Sequence, residues 1–166
     1  VRAELHVHRP EVRVLAHEQR LDLGADKARV FFRDGMLEHA ADMAKAGIPF
    51  VFDPGQGMPM FDGKDLLAFI DQATYVAVND YEGKMLEEKT GKSLDAIAGM
   101  VKALIVTRGA DGSTIIAGGQ RIDIPCVKAK EILDPTGCGD AYRAGLIFGM
   151  TRGYDWATTA PIASLI

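Results

Sequence analysis

Apolar positions along this chain fall into short runs separated by amphipathic stretches, so strand-like and helix-like periods alternate. Residues 4–16 alternate as a strand or hairpin with Pro10 between the halves, and Arg29-Val30-Phe31-Phe32 predicts a short buried strand. Asp34 can cap a helix whose apolar positions Met36, Leu37, Ala40, Met43 and Ala44 share one face, ended by Gly47 and Pro49. Residues 48–52 form an apolar run of the kind found in a parallel strand covered on both sides. Asp53-Pro54-Gly55 turns at its carboxyl end, and Met58-Pro59-Met60-Phe61 reads as an irregular loop packed on the core, with a substrate lip as the alternative. The pattern continues with a helix over 66–72, a strand over 74–78, helices over 81–88 and 93–101, and a strand over 103–107. A turn at 109–112 leads to a strand over 113–117, and Gly118-Gly119 makes a hairpin to 121–125. A short strand before Asp134, a long helix over 139–152 and a last segment over 156–166 complete the order.

This β-α-β-α order predicts an α/β fold, an open and mainly parallel sheet with helices on both faces. Ligands of such sheets sit beyond the carboxyl ends of the strands. Asp53, Asn79, Glu82, Thr107 and Gly109 all follow predicted strand ends, so the polar candidates converge on one edge.

Composition narrows the class further. A length of 166 residues suits a single domain. With 19 basic and 23 acidic residues the net charge is −4, which gives no hint of a nucleic-acid face, and no nucleic-acid partner is expected. Cys126 and Cys138 suggest no disulfide framework and fit a reducing cytoplasm, the location expected here. No signal-peptide pattern is seen, nor an apolar run of ~18 residues that could span a bilayer, so no membrane partner is expected. His6 and His8 sit on alternating positions; a metal pair needs a third ligand that the nearby sequence does not supply.

The densest chemistry lies in Asp134-Pro135-Thr136-Gly137-Cys138-Gly139-Asp140. Gly137 and Gly139 can take backbone angles closed to other residues, so consecutive N–H groups can face one concavity. The mostly buried helix that follows adds its N-terminal amides and dipole to the pull on an anion. Asp140 beside such a cradle could take a proton from an attacking hydroxyl, which is the chemistry of phosphoryl transfer to an alcohol. A tight loop with a helix cap explains the same stretch taken alone. The dinucleotide fingerprint needs glycine where Tyr142 stands, and a Walker A loop ending in Gly91-Lys92-Ser93 needs glycine where Leu86 stands. A reductase using NAD is thereby disfavoured.

The run D-P-T-G-C-G-D-A-Y-R-A-G-L resembles the C-terminal signature of the ribokinase-like (PfkB) family of carbohydrate and nucleoside kinases. Asn79-Asp80-Tyr81-Glu82 resembles that family's N-x-x-E motif, and Thr107-Arg108-Gly109-Ala110-Asp111-Gly112 its T-x-G-x-x-G loop, in the right order. The Cys138 variant, with Asp53-Pro54-Gly55-Gln56 upstream, is most similar to bacterial members described as adenosine kinases. The resemblance implies a three-layer αβα sandwich and transfer of the γ-phosphoryl group of ATP to a nucleoside or sugar hydroxyl, adenosine favoured.

Residue by residue, the resemblance implies Asp140 as catalytic base, with Gly137, Cys138 and Gly139 supplying amides to the phosphoryl in flight. Glu82 resembles the acid that organises Mg²⁺ through coordinated waters, with Asn79 orienting that shell or touching phosphate. A capping box at Asn79 and Glu82 is the ordinary alternative, and both can hold together. Thr107, Arg108, Gly109, Gly112 and Thr136 would hold the nucleotide; a plain strand-to-turn junction is the alternative at Thr107 and Gly109. Arg108 and Arg143 could meet phosphate, although solvation is an arginine's commoner fate, and Gly55 stands where the family often has asparagine.

The resemblance covers residues 25–166, read as the ATP-binding and catalytic part of a single partial domain 1–166, with 1–24 poorly placed. Family members are about twice as long, so the chain is expected to be a fragment. It would lack the sugar-gripping first strands and the lid that often builds a homodimer. A truncated, non-catalytic nucleotide-binding module is the competing expectation. Loss of a sheet edge is expected to expose Phe50, Val51 and Phe52.

Overall fold

A computed structural model describes residues 13–15, 25–128 and 136–166. Six strands, β1 (Arg13–Leu15), β2 (Phe50–Phe52), β3 (Tyr75–Asn79), β4 (Ala103–Thr107), β5 (Ser113–Ala117) and β6 (Gln120–Ile124), lie side by side in chain order. The pairs from β1 to β4 are parallel, and the hairpin β5–β6 adds two antiparallel pairs at one edge. Helices α1 (Ala25–Lys45), α2 (Gly63–Gln72), α3 (Asp80–Thr90) and α4 (Leu94–Ala98) connect the parallel strands, while α5 (Cys138–Thr151) and α6 (Trp156–Leu165) close the chain.

Alternation along the strands divides the core into two halves. Phe50, Phe52, Val76, Val78, Leu104 and Val106 pack with Ala40, Met43, Leu66, Phe69, Leu86 and Ile97 of α1–α4. Val51, Ala77, Ala103, Ile105 and Ile115 pack instead with Leu146, Ala160 and Ala163 of α5 and α6. The result is the three-layer αβα sandwich expected. No helix among the described residues is long and apolar enough to cross a membrane.

Local chemistry sets the joints. Asp62 accepts from the amides of Lys64 and Asp65, and Asp65 returns the bond to the Asp62 amide, a capping box that starts α2. The same Asp65 carboxylate, largely buried, takes a two-pronged contact from Arg33 of α1 at 2.7 and 2.5 Å. Lys89 at the end of α3 donates to the carbonyls of Met58 and Phe61, fixing the 3-10 turn Gly55–Met60. Met58 and Phe61 are buried there, so this apolar stretch packs on the core as expected.

Three expectations are corrected. Arg29–Phe32 is not a strand, because it lies inside α1. Phe32 packs on the same cluster as Met36, Leu37, Ala40 and Met43, so the helical stripe begins a turn earlier than the β-favouring residue types suggested. Asp34 is consequently mid-helix and caps nothing; it accepts from Arg33 Nη1 at 2.7 Å. Phe50, Val51 and Phe52 are at most 4 % exposed, because β1 continues the sheet beyond β2 and both faces are covered. The rest of the 4–16 segment, His6, His8 and the strand expected before Asp134 lie outside the described residues.

Helices α5 and α6 approach closely through two glycines. A Cβ at Gly145 would lie 2.5 Å from Ala163 Cα, and one at Gly149 would lie 2.5 Å from the Thr159 side chain. Gly145→Leu is therefore expected to lower stability by about 2–3 kcal/mol in urea unfolding, because the backbones cannot part without losing the layer beneath them. A second expectation concerns acid. Thr114 and Arg108 hold the Asp123 carboxyl below its usual range, and the amide and hydroxyl of Thr158 do the same for Asp155. A depressed folded-state pKa stabilises above the unfolded value and is lost on protonation, so urea midpoints should fall as the pH drops through about 4. Asp123→Asn should flatten part of that decline.

Candidate active site

The parallel register sets the floor of the site. Asn79, the last residue of β3, lies level with Thr107, the last of β4, and Thr107 lies level with Ser113, the first of β5. The Thr107 hydroxyl leans to the Val78 carbonyl at 3.5 Å. Asn79 and Glu82 form the complete capping box of α3. Asn79 Oδ1 accepts from the Glu82 amide at 2.7 Å, and Glu82 Oε2 accepts from the Asn79 amide at 2.8 Å. Glu82 is nearly buried, and its other oxygen has no hydrogen bond among the described residues.

Beyond Thr107 the chain makes a closed loop. The Arg108 amide donates to Gly112 O at 2.7 Å, and the Gly112 amide donates to Gly109 O at 3.1 Å. A Cβ on Gly112 would lie 2.0 Å from Ile124 O, so the loop is pressed onto the end of β6. The Arg108 guanidinium turns along the hairpin, bonding Thr114 Oγ1 and lying 3.6 Å from Asp123. Arg108 thus contributes to the loop's shape, with its charge drawn toward Asp123.

Gly137 starts α5 in the left-handed region at φ 80°, and no side chain caps the helix. The Ala141 amide makes the first helical bond, to Gly137 O at 2.9 Å, which leaves the amides of Cys138, Gly139 and Asp140 ahead of it. Thr136, Gly137, Cys138, Gly139 and Asp140 are all exposed. Asp140 makes no side-chain hydrogen bond or ion pair among the described residues. An open row of amides with an unengaged carboxylate on the same turn can hold an anion and accept a proton.

Two contacts unforeseen in the sequence tie this turn to the sheet edge. Tyr142 Oη lies 2.6 Å from Ser113 Oγ, and burial pushes the phenol's pKa up. Arg143 forms an ion pair through Nε with Asp53 Oδ2, both side chains at least 85 % buried. Burial pushes the guanidinium's pKa down, although arginine keeps its charge. The solvated fate considered for Arg143 is corrected accordingly. An arginine within the small and apolar run of α5 was the available signal, since a charge there needs a partner. Asp53 is that partner, and its Oδ1 also accepts from the Gly55 amide at 3.1 Å.

Asp134 and Pro135 lie outside the described residues, as does any ligand they contribute. No group of three or more metal-ligating side chains occurs among the described residues.

Residues 30–166 match the pfkB family of carbohydrate kinases. The chain belongs to this family. Its fold is shared with Burkholderia thailandensis nucleoside kinase, solved in complex with inosine, at 54 % identity and a TM-score of 0.78. That match covers 80 % of this chain and 44 % of the other. The nucleoside kinase of Methanocaldococcus jannaschii, an archaeal ribokinase-family member, superposes with a TM-score of 0.73 at 32 % identity, covering 80 % of this chain and 44 % of that one. The curated sequence of a nucleoside kinase from M. jannaschii is 39 % identical over 104 residues, 63 % of this chain and 34 % of that protein. This pfkB chain therefore spans less than half the length of these relatives.

The capping box is testable apart from any ligand. Asn79→Ala should cost about 1 kcal/mol of stability in denaturant titration, the usual loss of a helix N-cap. A loss below a few tenths would mean that α3 does not depend on this cap.

Proposed function

We propose that the protein to which this chain belongs transfers the γ-phosphoryl group of ATP to a hydroxyl of a purine nucleoside. One observation carries the reading: α5 opens on uncapped amides with the exposed Asp140 on the same turn. The 54 % identity to a kinase solved with inosine, and with ADP-inosine in a further structure, supports a nucleoside over a free sugar. Adenosine is the first acceptor to test and inosine the second. A cytoplasmic location and subunit pairing through a lid belong to the same proposal.

In this mechanism Asp140 takes the proton of the attacking hydroxyl as the hydroxyl oxygen bonds to the γ-phosphorus and the bond from that phosphorus to the bridging oxygen breaks, releasing ADP. Gly137, Cys138 and Gly139 donate their amides to the oxygens where charge gathers. Thr107 and Thr136 offer hydroxyls and Gly109 an amide to the nucleotide phosphates. Arg108 and Gly112 serve by closing the loop that presents them.

The Asn79–Glu82 pair fits a magnesium shell. One Glu82 oxygen is held by the Asn79 amide and the other has no hydrogen bond among the described residues, nor has Asn79 Nδ2. Bound magnesium would neutralise phosphate charge, as it does in phosphoryl transfer generally. A second reading follows from the chain's share of its relatives: alone, these residues would bind nucleotide without turnover.

Release of ADP by the complete polypeptide, assayed with adenosine, inosine and ribose, tests the first reading. Calorimetry of the 166-residue chain with Mg·ATP tests the second. Asp140→Asn in the complete protein should lower kcat by at least about 100-fold, the usual worth of a general base, while leaving ATP affinity within about threefold. Undiminished turnover would remove Asp140 from the base's role, and no turnover with any of the three acceptors would overturn the substrate assignment.

A further inference from the structure

The geometry points to the Asp53–Arg143 ion pair as the latch that positions the anion cradle, with Arg143 a positioning residue for the transfer proposed above. Arg143 stands one helical turn after Gly139, and its guanidinium runs back beneath the first turn of α5. A Cβ placed on Gly139 would lie 2.7 Å from Arg143 Nη1, so the glycine leaves the space that the guanidinium fills. Its Nε meets Asp53 at the carboxyl end of β2. One side chain therefore touches both the cradle's backbone and the sheet edge.

The aspartate is itself fixed. Gly55, at φ 46°, directs its amide to Asp53 Oδ1, which leaves Oδ2 for the arginine. Each carboxylate oxygen then has one assigned partner. Tyr142 pins the adjacent position of α5 to Ser113, beside Thr107. The first turn is thus anchored at β2 and at β5, on either side of the strand ends that carry Asn79 and Thr107. Pairing also explains the burial, because a guanidinium withdrawn from water without an opposite charge would be strongly destabilising.

The latch makes a claim that a purely structural role does not. Breaking it should loosen the beginning of α5 selectively and leave the rest of the helix, packed on α6, in place. Asp53→Asn keeps an acceptor for the Gly55 amide while removing the charge. Arg143→Met keeps the buried hydrocarbon while removing the guanidinium.

Amide hydrogen exchange on the 166-residue chain reads this without reference to catalysis. Each single variant should speed exchange at residues 141–144 by about tenfold, as local opening of a first turn does, with little change at 146–149. The double variant should exchange no faster than the faster single one, because both remove the same contact. In the complete polypeptide the variants should lower kcat on the order of 10–100-fold with KM for ATP within about threefold, the signature of misplaced catalytic groups. Equal acceleration along all of α5, or effects of the two substitutions that simply add, would overturn the latch. Selective, non-additive loosening without turnover on any nucleoside would uphold the latch and sink the kinase assignment alone.

Discussion

Arg143 carries a positive charge into the layer between α5 and the sheet, and the structure is organised around meeting that charge. Burial of an ion is tolerated when an opposite charge sits against it with its remaining valences satisfied. Asp53 does so, steadied by the Gly55 amide. The consequence is geometric: the first turns of α5 cannot slide along the sheet without separating the pair. Close packing against α6 through Gly145 and Gly149 sets the helix's depth, and the Tyr142–Ser113 contact sets its rotation.

The edge that α5 meets is built by strand register. Asn79, Thr107 and Ser113 stand level because β3, β4 and β5 end or begin together. Side chains on alternating strand positions are consumed by the two half-cores, so the polar groups left over gather where the strands stop. Chemistry at the carboxyl edge follows from the same alternation that buries Phe52 and Val51 on opposite faces.

Capping at Asn79 and Glu82 does not use up every polar atom of the pair. The box uses one oxygen of Glu82 and Oδ1 of Asn79, and the second Glu82 oxygen makes no hydrogen bond among the described residues. The two arginines considered for phosphate show a different economy. Arg108 is drawn to Thr114 and Asp123, and Arg143 to Asp53, so both guanidinium charges are engaged by this chain's own side chains.

Much was legible before folding was considered. Strands β2 to β6 and helices α2 to α6 follow periodicity and turn residues closely, because their signals are local: an apolar run, a capping residue, a glycine at a turn. The capping box at Asn79 and Glu82 and the glycine turn that starts α5 were legible for the same reason. The start of α1 was misread, since Val30, Phe31 and Phe32 favour strands as residue types and only packing against Met36 and Ala40 shows Phe32 to be part of a helical stripe. The apolar run 48–52 did signal a strand covered on both faces; that β1 also covers its edge was out of reach, because that pairing joins segments far apart in the chain.

What the amino-acid order determined by itself was therefore the succession of elements and the chemical types available at their ends. Partnership was decided by the tertiary structure: which carboxylate neutralises Arg143, where Arg108 turns, and which hydroxyl Tyr142 finds. Those choices join residues tens of positions apart, through contacts a few ångströms long whose strength depends on burial. Periodicity along a chain carries no record of either quantity.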